Sequence, residues 1–266
     1  MKRSIAVILV LVMLLGFAGC SSDSGISFVE SQSTQDEINP KTSTHPAIEP
    51  STRSVAEVRD HDEVLNKVLN APLKNRRKEL KVEFIDQNPE LPTGCESVAL
   101  TSALRYLGFQ LEKTDFADYY LGFSDEVMWG FVGEPDTDYG AGIYPPGLVM
   151  NANDYLAEQD SDYHAYNTMG TELTDLYKLV DAGFPVVVWT TIDYSVPNLE
   201  FDVPFYYEDE EFYWYLNEHC VVLGGYDLDA GTVTLTDPTN GVVTIDAEQF
   251  GYVYNIIGEL SMVVMK

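Results

Sequence analysis

Cys95, His219 and Asp237 are the side chains of this sequence whose types and surroundings could do chemistry together. Cys95 follows a Pro-Thr-Gly turn and opens a run in which Val98, Leu100, Leu104 and Leu107 recur at roughly helical spacing. A cysteine in the first turn of a helix meets unpaired backbone N–H groups and the positive end of the helix dipole. Both favour the thiolate, the reactive form. The alternative is a buried structural cysteine. A cysteine nucleophile also needs a base within hydrogen-bond reach and a third group that fixes the base's tautomer. The chain has 4 histidines. His45 stands in a polar N-terminal stretch, His61 at the start of a short amphipathic run, and His164 in a polar Asp-Tyr-His-Ala-Tyr context. His219 alone opens a β-rich run, which selects it by elimination.

Stepping outward to the elements that must hold these groups, Glu218 to Asp227 and Gly231 to Thr236 read as two neighbouring strands. Asp237-Pro238 ends the second, because proline cannot continue the ladder. An antiparallel pair would bring Asp237 near His219; the alternative for Asp237 is an ordinary Asp-Pro turn. Gln87 precedes the cysteine in a Pro-rich approach, and its side-chain amide, with the Cys95 N–H, could stabilise an oxyanion. Residues 80–86 (LKVEFID) alternate like a strand. Lys113 to Leu121, Pro146 to Ala157 and Thr171 to Ala182 read as helices, the last closed by Gly183. Val186 to Thr191 reads as a strand buried on both faces. Residues 124–146 form a loop long enough to expect a functional or mobile role.

The chain begins with an address. Lys2 and Arg3 precede an apolar run, Ile5 to Ala18, that is too short for a permanent span and ends at Phe17-Ala18-Gly19-Cys20. This pattern is similar to a bacterial lipoprotein signal, which implies cleavage before Cys20, acylation of that residue, and an extracytoplasmic protein anchored to the cell membrane. Residues 1–19 are then the signal peptide and 20–79 a Ser/Thr/Asp/Pro-rich flexible tether with a short helix around Val55 to Leu69. Residues 80–266 form the globular domain. The basic cluster Lys74, Arg76, Arg77, Lys78 and Lys81 reads as a solvated turn against the domain's own acids; the alternative is a contact with anionic wall polymer or headgroups.

The formal net charge of −28 excludes nucleic acid as a partner of the surface at large. With 3 cysteines, one of them the lipidation candidate, the chain lacks a disulfide framework, although a Cys95–Cys220 bridge would silence the thiol. No His-Glu-x-x-His or Cys-x-x-Cys spacing is present, so neither a metal nor another cofactor is expected. Four acids framed by aromatics, residues 205–215, precede His219. If they wall the cleft, Glu210, Glu211 and Trp214 would bind extended substrates with basic and apolar groups; the alternative is a solvated acidic loop with half-buried aromatic flanks.

Several separated motifs together resemble one family. The run Gln87 to Ala99, the Phe131-Val132-Gly133-Glu134-Pro135 loop, Tyr144-Pro145-Pro146 before a helix, His219 to Asp227 and Asp237-Pro238 look like the bacteriocin-processing (double-glycine) peptidase-like branch of papain-fold cysteine peptidases. The resemblance covers about Lys81 to the C-terminus. It implies an α+β papain-like fold, with helices packed on an antiparallel sheet and a cleft between them. It also implies a peptide or protein substrate, with Cys95 as nucleophile, His219 as base, Asp237 as orienting acid and Gln87 as oxyanion donor. The chain has no Gly-x-x-x-x-Gly-Lys phosphate loop, so the double-glycine substrate of the transporter-linked members does not carry over. A wall-peptide amidase or transpeptidase would use the same residues, and a catalytically silent binding module could share the scaffold. Replacing the lipidation candidate, Cys20→Ser, is expected to move the protein expressed in a bacterium from the membrane fraction to the soluble one. Unchanged membrane partition would remove the lipid anchor.

Overall fold

The structure is a computed structural model that describes residues 63–199, 204–208 and 210–266. Cys20, the signal stretch, and the tether and helix start up to residue 62 lie outside the described residues. In chain order, β1 (Arg77–Glu79) is followed by α1 (Cys95–Tyr106), α2 (Lys113–Tyr119) and α3 (Pro145–Glu158). Next come β2 (His164–Asn167), α4 (Leu173–Ala182) and β3 (Val186–Thr191). After these stand β4 (Phe205–Tyr207), β5 (Glu210–Phe212), β6 (Glu218–Asp227), β7 (Thr232–Asp237), β8 (Gly241–Asp246), α5 (Ala247–Ile256) and β9 (Ser261–Met265).

The main sheet has 7 strands in the order β2-β9-β3-β6-β7-β8, with β1 also pairing β6. Every pairing in it is antiparallel. β3 and β9 are buried at every position, which requires cover on both faces, and α1, α4 and α5 pack on the sheet. The α+β arrangement expected from the sequence is the one observed. β6 is the central strand for function: it pairs with β3 through Trp189↔Cys220 and Thr190↔His219, and with β7 through Val222↔Thr236. That register fixes His219 near the end of β7, where Asp237 stands.

α1 is buried from Cys95 to Leu104. Its small residues Ser97, Ala99, Ser102 and Ala103 let the helix lie deep against the sheet, while Val98, Leu100 and Leu104 are fully enclosed. Each large apolar side chain so buried contributes about 1.5–3 kcal/mol. The nucleophile candidate is therefore mounted on the least mobile kind of element a domain has.

Two readings of the chain differ from the structure. Residues 80–86 do not form a strand; the ladder with β6 lies just before them, at Arg77–Glu79, and only the Leu80 N–H continues it, to Gly224 O. From Leu223 back toward Glu218, β6 is already paired by β3 (Val186↔Leu223), with β7 on its other side at Leu223 (Leu223↔Leu235), so the chain after Leu80 finds no free edge, and Lys81, Glu83 and Phe84 are exposed. Residues 63–69 are helical, and Val68, Leu69 and Leu73 pack on the core although composition groups them with the tether. Lys178 Nζ donates to Leu69 O at 2.6 Å, and Asp181 accepts the Lys74 N–H and the Asn75 amide. The basic cluster meets the domain's acids, as in Arg76–Asp229 and Lys81–Glu79. Gly183 ends α4 at φ 101°, and a Cβ there would meet nothing within 4 Å. Gly183→Ala should therefore cost about 1 kcal/mol from backbone strain alone, read as a lower urea midpoint with an unchanged m-value.

Candidate active site

A cleft of about 320 Å³ is lined by Gln87, Cys95, Trp214, Glu218 and His219, together with the Gly140–Gly142 backbone, Asp193 and Asn240. Three elements far apart in sequence converge here: the start of α1, the start of β6 and the end of β7.

Asp237 is fully buried and collects donors. Its Oδ1 lies 2.8 Å from His219 Nε2 and accepts the Thr239 N–H and hydroxyl, both at 2.8 Å. Its Oδ2 accepts the Tyr194 hydroxyl at 2.6 Å and the Asn240 amide at 3.0 Å. Burial alone would raise this carboxyl, but the His219, Tyr194 and Asn240 donors outweigh it and hold Asp237 far below the usual carboxylate range. Asp237 is thus at once the turn initiator that its Asp-Pro context suggests and the partner of His219. Because Nε2 is committed to Asp237, Nδ1 is the ring nitrogen left for other work.

Tyr194 carries no recognisable signal in the sequence. It follows β3 in a turn where Asp193 and Tyr194 have φ of 58° and 53°, a left-handed pair without glycine. Such a pair is costly and persists only where the surroundings dictate it. Here it directs the phenol at Asp237.

Gln87 is 4% exposed. Its N–H donates to Pro238 O at 2.9 Å, which ties it to the residue after Asp237, and its Nε2 donates to Pro92 O at 2.7 Å. Gln87 lines the cleft, and its Oε1 is buried with no hydrogen-bond partner among the described residues. Lys113 of α2 pins this approach by donating to the carbonyls of Asp86, Gln87 and Asn88.

The surroundings of Cys95 correct the expectation of a ready thiolate. The sulfur is buried and lies 3.3 Å from Glu96 Oε2, to which the thiol donates. Burial first, then the carboxylates of Glu96 and Glu218, push the thiol well above its ordinary value, although the Cys220 backbone N–H facing the sulfur works the other way. The helix start is present, but desolvation and two acids outweigh it. Cys95 and Cys220 are both free thiols.

Residues 124–146 are pinned rather than loose. Trp189 Nε1 donates to Ile143 O at 3.0 Å, Trp214 Nε1 to Ala141 O at 2.7 Å, and Tyr144 donates to Tyr213 O at 2.8 Å. Glu96 Oε1 accepts the Ile143 N–H at 2.8 Å, and Thr93 bonds Thr137 O at 3.0 Å. This loop is a wall of the cleft. Gly142 (φ 93°) lies so close to the acids that a Cβ would sit 2.2 Å from Glu96 Oε1.

The acid-and-aromatic segment divides. Trp214 lines the cleft, whereas Glu210 and Glu211 are exposed on the β4–β5 hairpin and are absent from the lining. Glu211 accepts hydroxyls from Tyr206 and Tyr213. Sequence reasoning passed over Glu96 and Glu218, which flank the nucleophile and the base in sequence; that adjacency was the available signal. Among the described residues, Cys95, Glu96 and Glu218 bring three acidic or thiol ligand atoms within 4.8 Å of one another. No metal is assigned to them, because they are the cleft's own thiol and carboxyls.

The depressed Asp237 contributes stability that is fully present above the ordinary aspartate range and fades only as pH falls toward its folded value. Asp237→Asn should therefore lower stability at pH 7 by about 2–4 kcal/mol, with the difference narrowing below about pH 4, measured by urea unfolding across pH.

The Peptidase_C39 like family model matches residues 79–262. A crystal structure of a candidate C39-like peptidase from Bacillus anthracis is 29% identical, with a TM-score of 0.62 over 72% of this chain and 98% of that one. The uncharacterized protein YvpB of Bacillus subtilis (strain 168) is 26% identical over 174 residues, which span 58% of this chain and 63% of that relative. A more distant likeness, to a double glycine motif protease from an AMS/PCAT transporter in complex with the leader peptide, has 18% identity and a TM-score of 0.40 over 71% of this chain and 92% of that one. With the model spanning most of the chain and the papain-like α+β fold in place, the protein belongs to the Peptidase_C39-like family.

Proposed function

We propose that this chain is a cysteine peptidase that hydrolyses peptide bonds outside the cytoplasm, anchored to the membrane through Cys20. The observation that carries the reading is the hydrogen bond from His219 Nε2 to the buried Asp237, in the same cleft as Cys95. In this reading Nδ1 of His219 takes the Cys95 proton as the sulfur attacks the scissile carbonyl carbon. The second Gln87 amide hydrogen and the Cys95 N–H stabilise the oxyanion that forms. The imidazolium then gives its proton to the leaving amine as the C–N bond breaks. Water, deprotonated by His219, cleaves the resulting thioester and restores the thiol. Asp237, held by four residues, keeps the imidazole in the tautomer these steps need.

Family membership supports the peptidase class. The lipoprotein-like start supports the location, and the cleft's aromatic and acidic lining suits a peptide partner. The test is a mixed synthetic peptide library digested by the wild type, Cys95→Ala and His219→Ala, with fragments read by mass spectrometry. Cleavage by the wild type that falls by about 10³-fold or more in both variants is expected. Cleavage that survives Cys95→Ala would contradict the reading. So would a wild type that cuts no library peptide and forms no adduct with peptidyl vinyl sulfones.

A further inference from the structure

The nucleophile candidate is flanked by two acids for which the peptidase reading has no use. Glu96 is fully buried, and its carboxylate receives the Ile143 N–H at Oε1 and the Cys95 thiol at Oε2. Glu218, one residue before the base, faces it across Gly142, with Oε2 3.2 Å from where a Gly142 Cβ would stand. The Glu218 Oε1 is buried and has no hydrogen-bond partner. Two carboxyls this close in a buried site cannot both be charged cheaply, so they hold one proton between them. The partners decide where it sits. Burial raises both acids, but at Glu96 its own N–H, the Ile143 N–H and the Cys95 thiol work against it, whereas Glu218 has only burial and the Glu96 charge, both of which favour the acid.

The remaining titratable groups around the pair are His219 and Cys220 on β6, Tyr144 at the start of α3, Tyr215, and Asp237 at the end of β7. His219 is the basic group in this set, and the cleft lining contains no lysine or arginine. A single negative charge on Glu96 is therefore left facing the sulfur.

Resting on the peptidase reading, we propose that Glu96 is a positioning residue that keeps the resting nucleophile as a thiol by accepting its hydrogen, with Glu218 as the proton-sharing partner. Activation then has a defined exchange. The S–H bond breaks, the proton forms an N–H bond at His219 Nδ1, and Glu96 loses its sulfur donor. Glu96 lies behind the cleft lining and meets the sulfur, so it acts through Cys95. The resting state is the thiol, the form less prone to oxidation or alkylation. This arrangement suits a cysteine that has only one other described thiol, Cys220, and no disulfide.

The test reads the sulfur and needs no substrate, so its failure is distinct from failure of the peptidase reading. Rates of iodoacetamide alkylation at Cys95 are measured by mass spectrometry from pH 5 to 9.5 in the wild type, Glu96→Gln and Glu218→Gln. In the wild type the rate should rise through neutral pH. Glu96→Gln should shift that rise acidward by about one unit, giving about tenfold faster alkylation at pH 6.5, with little change in melting temperature. Glu218→Gln, which fixes a neutral group where the shared proton sits, should change the rate at pH 6.5 by less than about twofold. A wild-type rate already at its plateau at pH 5, or an unshifted Glu96→Gln profile in a folded protein, would overturn the proposal. Should Glu96→Gln fail to fold, the infrared S–H stretch of the Cys20→Ser, Cys220→Ala protein, in which Cys95 is the remaining cysteine, decides at pH 7. Its presence supports a resting thiol, and its absence refutes one.

Discussion

The rest of the site depends on one buried carboxylate. Asp237 is enclosed and charged, a combination that is stable only because His219, Tyr194, Thr239 and Asn240 all donate to it. Each donor brings a different piece of chain to one point. His219 brings the start of β6, Tyr194 the strained turn after β3, and Thr239 with Asn240 the turn into β8. The Pro238 carbonyl next door holds the Gln87 N–H, so the oxyanion candidate is tied to the same point. Loss of this carboxylate would loosen the imidazole, the turn and the Gln87 approach together.

A second set of contacts builds the opposite wall. The loop after α2 contains five glycines and prolines before Tyr144, a composition that favours mobility, yet two tryptophan N–H groups, the Tyr144 hydroxyl and Glu96 hold its closing residues. Glu96 thereby joins the two sets, fixing the loop through Ile143 and touching the Cys95 sulfur. The same residue that gives the cleft its shape also sets the charge beside its nucleophile. Burial and the two acids thereby work against the thiolate that the helix start favours.

What the sequence reveals follows from the range of each signal. Helices α1, α3 and α4 and strand β3 were legible because apolar spacing, Pro145-Pro146 and Gly183 are local devices. The approach of His219 to Asp237 was legible because one antiparallel pairing over a short turn brings them together. The strand expected at residues 80–86 was not, because alternation predicts exposure of alternate side chains and not that β3 already pairs β6 from Leu223 back to Glu218. Tyr194 and Lys113 were beyond reach for a related reason: their partners lie more than twenty positions away and nothing local marks them, whereas Glu96 and Glu218 stand beside Cys95 and His219 and only their approach to each other is long-range. Glu210 and Glu211 had the right charge for a cleft wall, but their hairpin keeps them in solvent.

The account turns on which nitrogen of His219 carries the proton in the resting protein. Nitrogen-15 NMR of histidine-labelled protein, with His219 assigned by its loss in His219→Gln, measures this directly. The structure predicts that in the neutral ring the proton sits on Nε2, slow to exchange because it is enclosed against Asp237, which leaves Nδ1 to take the Cys95 proton. A neutral ring with its proton on Nδ1, or one averaging freely between tautomers, would mean that Asp237 does not orient the imidazole.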